Sequence, residues 1–596
     1  MLADLMSIFS KFKENNPNVV TENYIPADGT YVCVDLDTMK ISSVSNIKYN
    51  KKESKLEGID DDKLLNKLCM YDYNSRLTSI QKPIDKKKKI HSNNYLSFFV
   101  KKDIVGKDLT GGIIDEYYKV LAKPEIKYQS VPNSLDLYLK VREEIGEPDE
   151  ELIDKIHNWI MFNIFNTDDV LGIDMSKKEY LKIFFEYADD YDKTLKLYQK
   201  ENKRYLTVNV FNSNKYNVSL DNQILGVPDN NFNLNPKKPY LMNNTRGMAI
   251  PYMLDIDKTI EQKELFDFLY NMACNGYVNV YFDSVNNMVY GFKASDMPNF
   301  NIFGHYVRVQ KGKEVEILDY SVVSGNMERL SDTFRVKNVL GLDLENSVFK
   351  EHDYSPKYNK REFEQFINKA IYSNTLKTNY FTDASEVSIT DAVLRRNLIS
   401  TRSKIFDYIY KDINNGLYPT LYKVAHELIY SCLKQGFEVK ACYMFNIAFS
   451  LKEMYEEGDI SMEDKISNMR DELREKINNA ETLSISNDDE YYFSVGQVVK
   501  YLIWLSNNNN KKQSLINPFI SVSRDKQLKQ KLNQLYRGYN FAINDNNRRF
   551  NNLYSMVKMY TPNDKVNTNM IIAGYLNSSL ILEKKKIEEM SENVNE

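Results

Sequence analysis

Four lysines, Lys86 to Lys89, run through Ile90 into His91, Ser92, Asn93 and Asn94, and then into the apolar, aromatic segment "YLSFF". An asparagine side chain presents a donor and an acceptor, the two groups needed to read the edge of a base. A lysine on the same loop holds a backbone phosphate and fixes the register of that reading. Lys87, Lys88, Lys89, Asn93 and Asn94 are therefore candidates for contact with duplex DNA, with Tyr95, Phe98 and Phe99 anchoring a strand behind them. The plainer alternative is a solvated loop that leads into that strand.

A second mixture of cations, rings and amides stands in "NPKKPYLMNNTRGMAIPY". Lys237, Lys238 and Arg246 suit phosphates, and Tyr240 suits a stacked base, the combination that holds single-stranded RNA. An inter-domain loop kept extended by its prolines is the competing reading.

Motifs for catalysis are missing. "GKDLTGG" at Gly106 has glycines and a lysine, but not in the order of a phosphate-cradling loop. His352 and Asp353 suit a metal-dependent nuclease, yet the five histidines (His91, His157, His305, His352 and His426) lie far apart in the chain. No pair of carboxylates stands out for acid–base work. The residues describe a binding protein that is not an enzyme and needs no cofactor, with the metal-dependent nuclease as the alternative.

The elements that position these groups follow from length, periodicity and charge. A chain of 596 residues is too long for one core and predicts several domains. Five scattered cysteines without a CxxC pair suit a reducing cytoplasm and buried thiols, and predict no structural zinc. No apolar stretch reaches the ~20 residues of a membrane-spanning helix. The start, "MLADLMSIFSKF", reads as an amphipathic helix and not as a signal peptide.

Alternation predicts strands in "DGTYVCVDLD" and "LSFFVKKD", and hairpins in "GYVNVYFDSVNNMVYGF" and "YVRVQKGKEVEIL". Beyond Arg361 the period is helical, with Ser388 and Asp391 spaced as a capping box. The predicted fold is multidomain α+β: a mixed N-terminal body with antiparallel hairpins, and a C-terminal basic helical bundle. The predicted segments are an α+β region with the basic loop (1–130), a mixed helical and hairpin region (131–360), a helical region (361–450), an acidic mobile connector (451–490) and the bundle (491–596).

Charge draws the last boundary. Residues 451–490 hold 13 carboxylates against five basic side chains, and 491–582 hold 12 basic side chains against three aspartates. In "RDKQLKQKLNQLYRGYNF" the apolar residues share one helical face, and Lys526 and Arg537 project from the other. Lys511, Lys512, Arg524, Lys526, Lys529, Arg537, Arg548 and Arg549 are the candidates for a nucleic-acid backbone. A merely soluble helical domain, or a scaffold that docks an acidic protein, would carry the same residues.

Taken together, "KKKKIHSNNYLSFFVKKD", "NVFNSNKYNV", "GVPDNNFNLNPKKPYLMNNTRGMAIPY", "FSVGQVVKYLIWLS", "NPFI" and "MIIAGYLNSSLIL" resemble, in this order, the large subunit of the type I-B CRISPR surveillance complex, Cascade. The resemblance spans most of the chain. It implies a non-catalytic subunit near the 5′ handle of a guide CRISPR RNA that reads the protospacer-adjacent motif of target double-stranded DNA and helps to start strand separation. Its implied partners are the backbone, handle-binding and small subunits of Cascade and a helicase-nuclease effector that docks on it, with no membrane. The C-terminal part resembles the separate small subunit, and Met462, with Met454 and Met469 as alternatives, suits an internal start.

Overall fold

The computed structural model describes residues 2–50, 55–130, 133–166, 173–221, 223–229, 253–294, 296–325, 327–456, 461–481, 483–505, 513–563 and 565–583. The fold is α+β, as the sequence predicts. It divides into two compact units, one of Met1–Asp296 with Ile302–Val322 and one of Met297–Asn301 with Val323–Glu596. Among the described residues no helix is long and apolar enough to cross a membrane.

The first unit is built on a five-stranded sheet. Its strands are β1 (Gly29–Asp35), β2 (Ile41–Asn50), β3 (Lys55–Glu57), β4 (Ser97–Lys101) and β5 (Tyr180–Glu186), in the order β3-β2-β1-β5-β4. The central strand β1 pairs antiparallel with β2 and parallel with β5. Its run "TYVCV" is buried on both faces, which is why it reads as a near-continuous apolar run. The edge strand β4 pairs antiparallel with β5, with Phe98 opposite Ile183.

The sheet's core joins Tyr31, Val32, Phe98, Val100, Ile183 and Phe184. Helix Tyr191–Asn209 closes over it, and its Tyr198 stacks on Tyr71 at 4.6 Å and donates its hydroxyl to the Leu96 carbonyl at 2.7 Å. Because β5 comes from the 131–360 segment, residues 1–130 do not form a sheet of their own. That sequence boundary is corrected by a strand pairing across some 150 residues.

The same unit carries the strands β6 (Val218–Leu220) and β7 (Gln223–Leu225), which pair as a short hairpin. A four-stranded sheet is ordered β11-β10-β8-β9, from β8 (Tyr277–Asp283), β9 (Met288–Lys293), β10 (Ile302–Lys311) and β11 (Val315–Gly325). Both predicted hairpins form here. The N-terminal amphipathic helix, Leu2–Asn15, buries Leu5, Phe9 and Phe12 and packs with helix Ile256–Cys274 on this sheet, where Phe9 lies 5.3 Å from Phe268.

The second unit opens with a two-stranded pairing of β12 (Arg329–Phe334) and β13 (Lys357–Asn359) and is otherwise helical. Helix Ala392–Lys411 is capped by Asp391, whose carboxylate accepts the Val393 and Leu394 amides at 2.8 and 3.0 Å. Asp391 is thus the N-cap itself, three residues later than a capping box begun at Ser388 would have it.

The acidic segment, expected as a mobile connector, is mostly helical among its described residues. Residues Met462–Asn478 form a helix capped by Ser461, and Ile466, Met469, Leu473 and Ile477 are buried at helical spacing. The next helix, Asp488–Trp504, starts inside that segment and runs across the expected boundary at 490, buried nearly all round. It crosses helix Thr568–Leu576 at two glycines. A Cβ at Gly496 would fall 2.2 Å from the Ile571 carbonyl oxygen, and one at Gly574 would fall 2.1 Å from that of Phe493. Only glycine permits this approach, so Gly496→Ala should destabilise the second unit by about 1–3 kcal/mol. Thermal unfolding of the variant, followed by circular dichroism, checks the loss.

Candidate nucleic-acid interface

The lysine loop is built on Asp85. This buried carboxylate accepts the backbone amides of Lys87 at 2.7 Å, Lys89 at 2.6 Å and Ile90 at 3.3 Å. Lys88 takes a left-handed conformation, φ 57°, in the resulting turn. Lys86, Lys87 and Lys88 are exposed. The Lys88 ammonium reaches the Gln81 side chain at 2.6 Å, and Lys89 pairs with Asp108 at 2.9 Å. His91 closes the turn: its Nδ1 meets the Tyr180 hydroxyl at 3.0 Å and its Nε2 lies 3.2 Å from the Lys88 carbonyl. Burial lowers its pKa. Sequence reasoning passed over Asp85, although an aspartate just before a charged run is the residue type that folds a turn onto its own carboxylate.

Asn93 and Asn94 do not face solvent; they are 2% and 1% exposed. The Asn93 amide donates to the Arg76 carbonyl and to the Asn202 side chain, both at 2.9 Å. The Asn94 amide donates to the Asn74 carbonyl at 3.2 Å, to Ser75 Oγ at 3.3 Å and to the Asn93 side chain at 2.8 Å. Its oxygen accepts the Leu96 amide at 2.9 Å and the Ser97 hydroxyl at 3.3 Å. Groups so occupied have nothing left to offer a base edge, so the expected reading role of Asn93 and Asn94 is withdrawn. Their types were read correctly as hydrogen-bonding groups, but the partners are the chain's own backbone and side chains. Lys237, Lys238, Tyr240 and Arg246 lie outside the described residues, as do Lys511 and Lys512.

The C-terminal helices sort the remaining candidates into two groups. Lys529 pairs with Asp525 at 3.3 Å and donates to the Tyr560 carbonyl. Arg549 donates to Asn478 at 2.7 Å and to the Glu583 carbonyl. These two are fasteners within the fold. Arg524, Lys526, Arg537 and Arg548 are exposed and have no ion-pair partner among the described residues. On helix Asp525–Tyr539, Leu528 and Leu532 are buried, and Lys526 and Arg537 fall on the opposite face, as the helical period predicts.

Part of the bundle's counter-charge is internal, since Lys500 pairs with Glu438 at 3.1 Å and Lys529 with Asp525 at 3.3 Å. Helix Met462–Asn478 packs against helix Arg548–Met559, where the Asn552 amide bonds the Ile477 and Asn479 carbonyls at 3.2 and 3.0 Å. Lys476 in turn pairs with Glu490 at 2.7 Å. Counted over 461–583, 16 basic side chains face 13 carboxylates, a net of +3 in place of the +9 of residues 491–582. Net charge therefore overstates the need for an outside anion. The exposed, unpaired cations carry the case.

His352 and Asp353 line an open cavity of about 1530 Å³ within the second unit. The Asp353 carboxylate is taken by the Ser355 hydroxyl at 2.6 Å and by Lys357 at 2.9 Å, and the His352 ring packs on Tyr443 at 4.2 Å. Among the described residues no three His, Cys, Asp or Glu side chains gather as a metal site. The chain matches no family model, no curated protein and no solved structure.

Removing the Asn94 side chain strands buried partners. Asn94→Ala should destabilise the first unit by about 1–3 kcal/mol, read from urea unfolding.

Proposed function

We propose that this chain is a non-catalytic nucleic-acid-holding subunit of an RNA-guided DNA surveillance complex in the cytoplasm, of the type I-B Cascade large-subunit kind. The observation that carries the nucleic-acid part is the set of four exposed cations, Arg524, Lys526, Arg537 and Arg548, left without ion-pair partners among the described residues of a folded helical region. Exposed cations that answer no carboxylate nearby suit a phosphate backbone, which binds by releasing its counterions. The guide CRISPR RNA, the target duplex, the other Cascade subunits and the helicase-nuclease effector are proposed from the order and content of the resembling segments.

Within this reading the two basic sites have the same role. The exposed lysines of the Asp85 turn hold phosphates of the target duplex, where the complex as a whole reads its short motif. The C-terminal cations hold backbone irrespective of sequence.

Two measurements test it. The tagged chain, expressed with its genomic neighbours, should retain short RNAs that share one repeat-derived 5′ end; a folded protein that retains none overturns the surveillance-complex reading. Replacing Arg524, Lys526, Arg537 and Arg548 together by alanine should weaken binding to every sequence. It should also flatten the slope of log affinity against log salt by about three to four, since each phosphate that is no longer neutralised takes roughly 0.9 from it. An unchanged slope removes these four residues from the interface.

A further inference from the structure

The cavity beside His352 and Asp353 has a volume of about 1530 Å³ and lies wholly within the second unit. None of the four unpaired cations of the C-terminal helices is among the residues that line it. Phe349, Phe437, Val439 and Tyr443 give it an apolar wall, and Phe437 is 55% exposed. An apolar wall left open to water in this way marks a docking place. Both signs of charge stand around it. Asp343, Glu351, Lys369 and Lys440 line the cavity, are exposed, and have no ion-pair partner among the described residues. A fitting occupant is amphipathic, with charges of both signs beside its apolar groups.

The chain itself arrives at this wall. Leu576 and Ser578 line the cavity, and the Ser578 hydroxyl accepts from Nη2 of Arg470, another lining residue. The same Nη2 lies 3.5 Å from the Glu583 carboxylate, which also accepts from Arg474 Nε at 2.8 Å. Arg549 donates to the Glu583 carbonyl. Glu583 is thus pinned by three arginines next to the cavity. The sequence continues from it as "KKKIEEMSENVNE", residues 584–596, which lie outside the described residues. In that segment Ile587, Met590 and Val594 are spaced i, i+3, i+7, the stripe by which a segment fills an apolar groove. Three lysines precede the stripe, and four glutamates stand within and beyond it.

We infer that the cavity is the docking groove for this chain's own residues 584–596, with Ile587, Met590 and Val594 against its apolar wall. Thirteen residues reach about 45 Å at full extension, far more than a cavity of this volume spans. The lysines answer Asp343 and Glu351, and the glutamates answer Lys369 and Lys440. Attachment at Glu583 holds the segment at roughly millimolar effective concentration, so contacts too weak for a free peptide suffice to cover the groove. The cover holds whether or not the chain binds nucleic acid, and it keeps foreign apolar segments out.

The test titrates a fluorescein-labelled synthetic peptide of residues 584–596 with the full chain, in fluorescence anisotropy. A full-length chain carrying Ile587→Asp, Met590→Asp and Val594→Asp has an open groove and should bind the peptide. The wild type should bind it at least about 10-fold more weakly, because its own tethered segment competes. A peptide with the same three substitutions should bind neither chain. A second measurement does not depend on that variant. Benzoylphenylalanine placed at position 587 of the full chain should cross-link, on irradiation, to the wall around Phe437, Val439 and Tyr443. Equal affinity of the two chains for the peptide, binding by neither, or cross-links that fall away from the cavity overturn the inference.

Discussion

The buried amides of Asn93 and Asn94 tie together three pieces of the first unit. They bond the residues that end helix Asp62–Tyr73, the turn into β4, and Asn202 of helix Tyr191–Asn209. The first two pieces are irregular or terminal at that point and would otherwise bury unpaired backbone groups, whereas Asn202 offers a buried side chain from within its helix. With the amides in place β4 can take its edge position beside β5, and the lysine loop hangs from a fixed strand. The network is local in sequence on one side only, since Asn202 lies more than a hundred residues away.

Charge is organised on the same plan, by internal partners first. β5 carries Lys182 into the sheet interior, where Asp72 holds it at 2.6 and 2.7 Å and the Tyr24 hydroxyl completes the carboxylate at 2.9 Å. A buried charge without such a partner would be costly. In the second unit Lys500 is answered by Glu438 and Arg474 of helix Met462–Asn478 by Glu583, and Lys529 and Arg549 bond carbonyls and side chains of their neighbours. What remains for an outside ligand is a minority of the cations, those whose helical faces turn to solvent.

Local periodicity made many elements legible. The alternating segments became β1, β4 and the two hairpins, and the amphipathic start became helix Leu2–Asn15. Even the exposure of Lys526 and Arg537 followed from one turn-by-turn count. The acidic stretch misled because charge density was weighed above the apolar stripe of Ile466, Met469, Leu473 and Ile477, which lies plainly at helical spacing.

The sequence by itself determined the α+β class, the main amphipathic faces and the outward direction of several bundle cations, because these depend on periods of two and 3.6 residues. Only the tertiary structure decided that β1 pairs with β5, that the helices Asp488–Trp504 and Thr568–Leu576 meet at glycines, and that Asn93 and Asn94 turn inward. Whether a donor or acceptor serves the fold or a ligand depends on which distant groups arrive beside it, and residue type is silent on that.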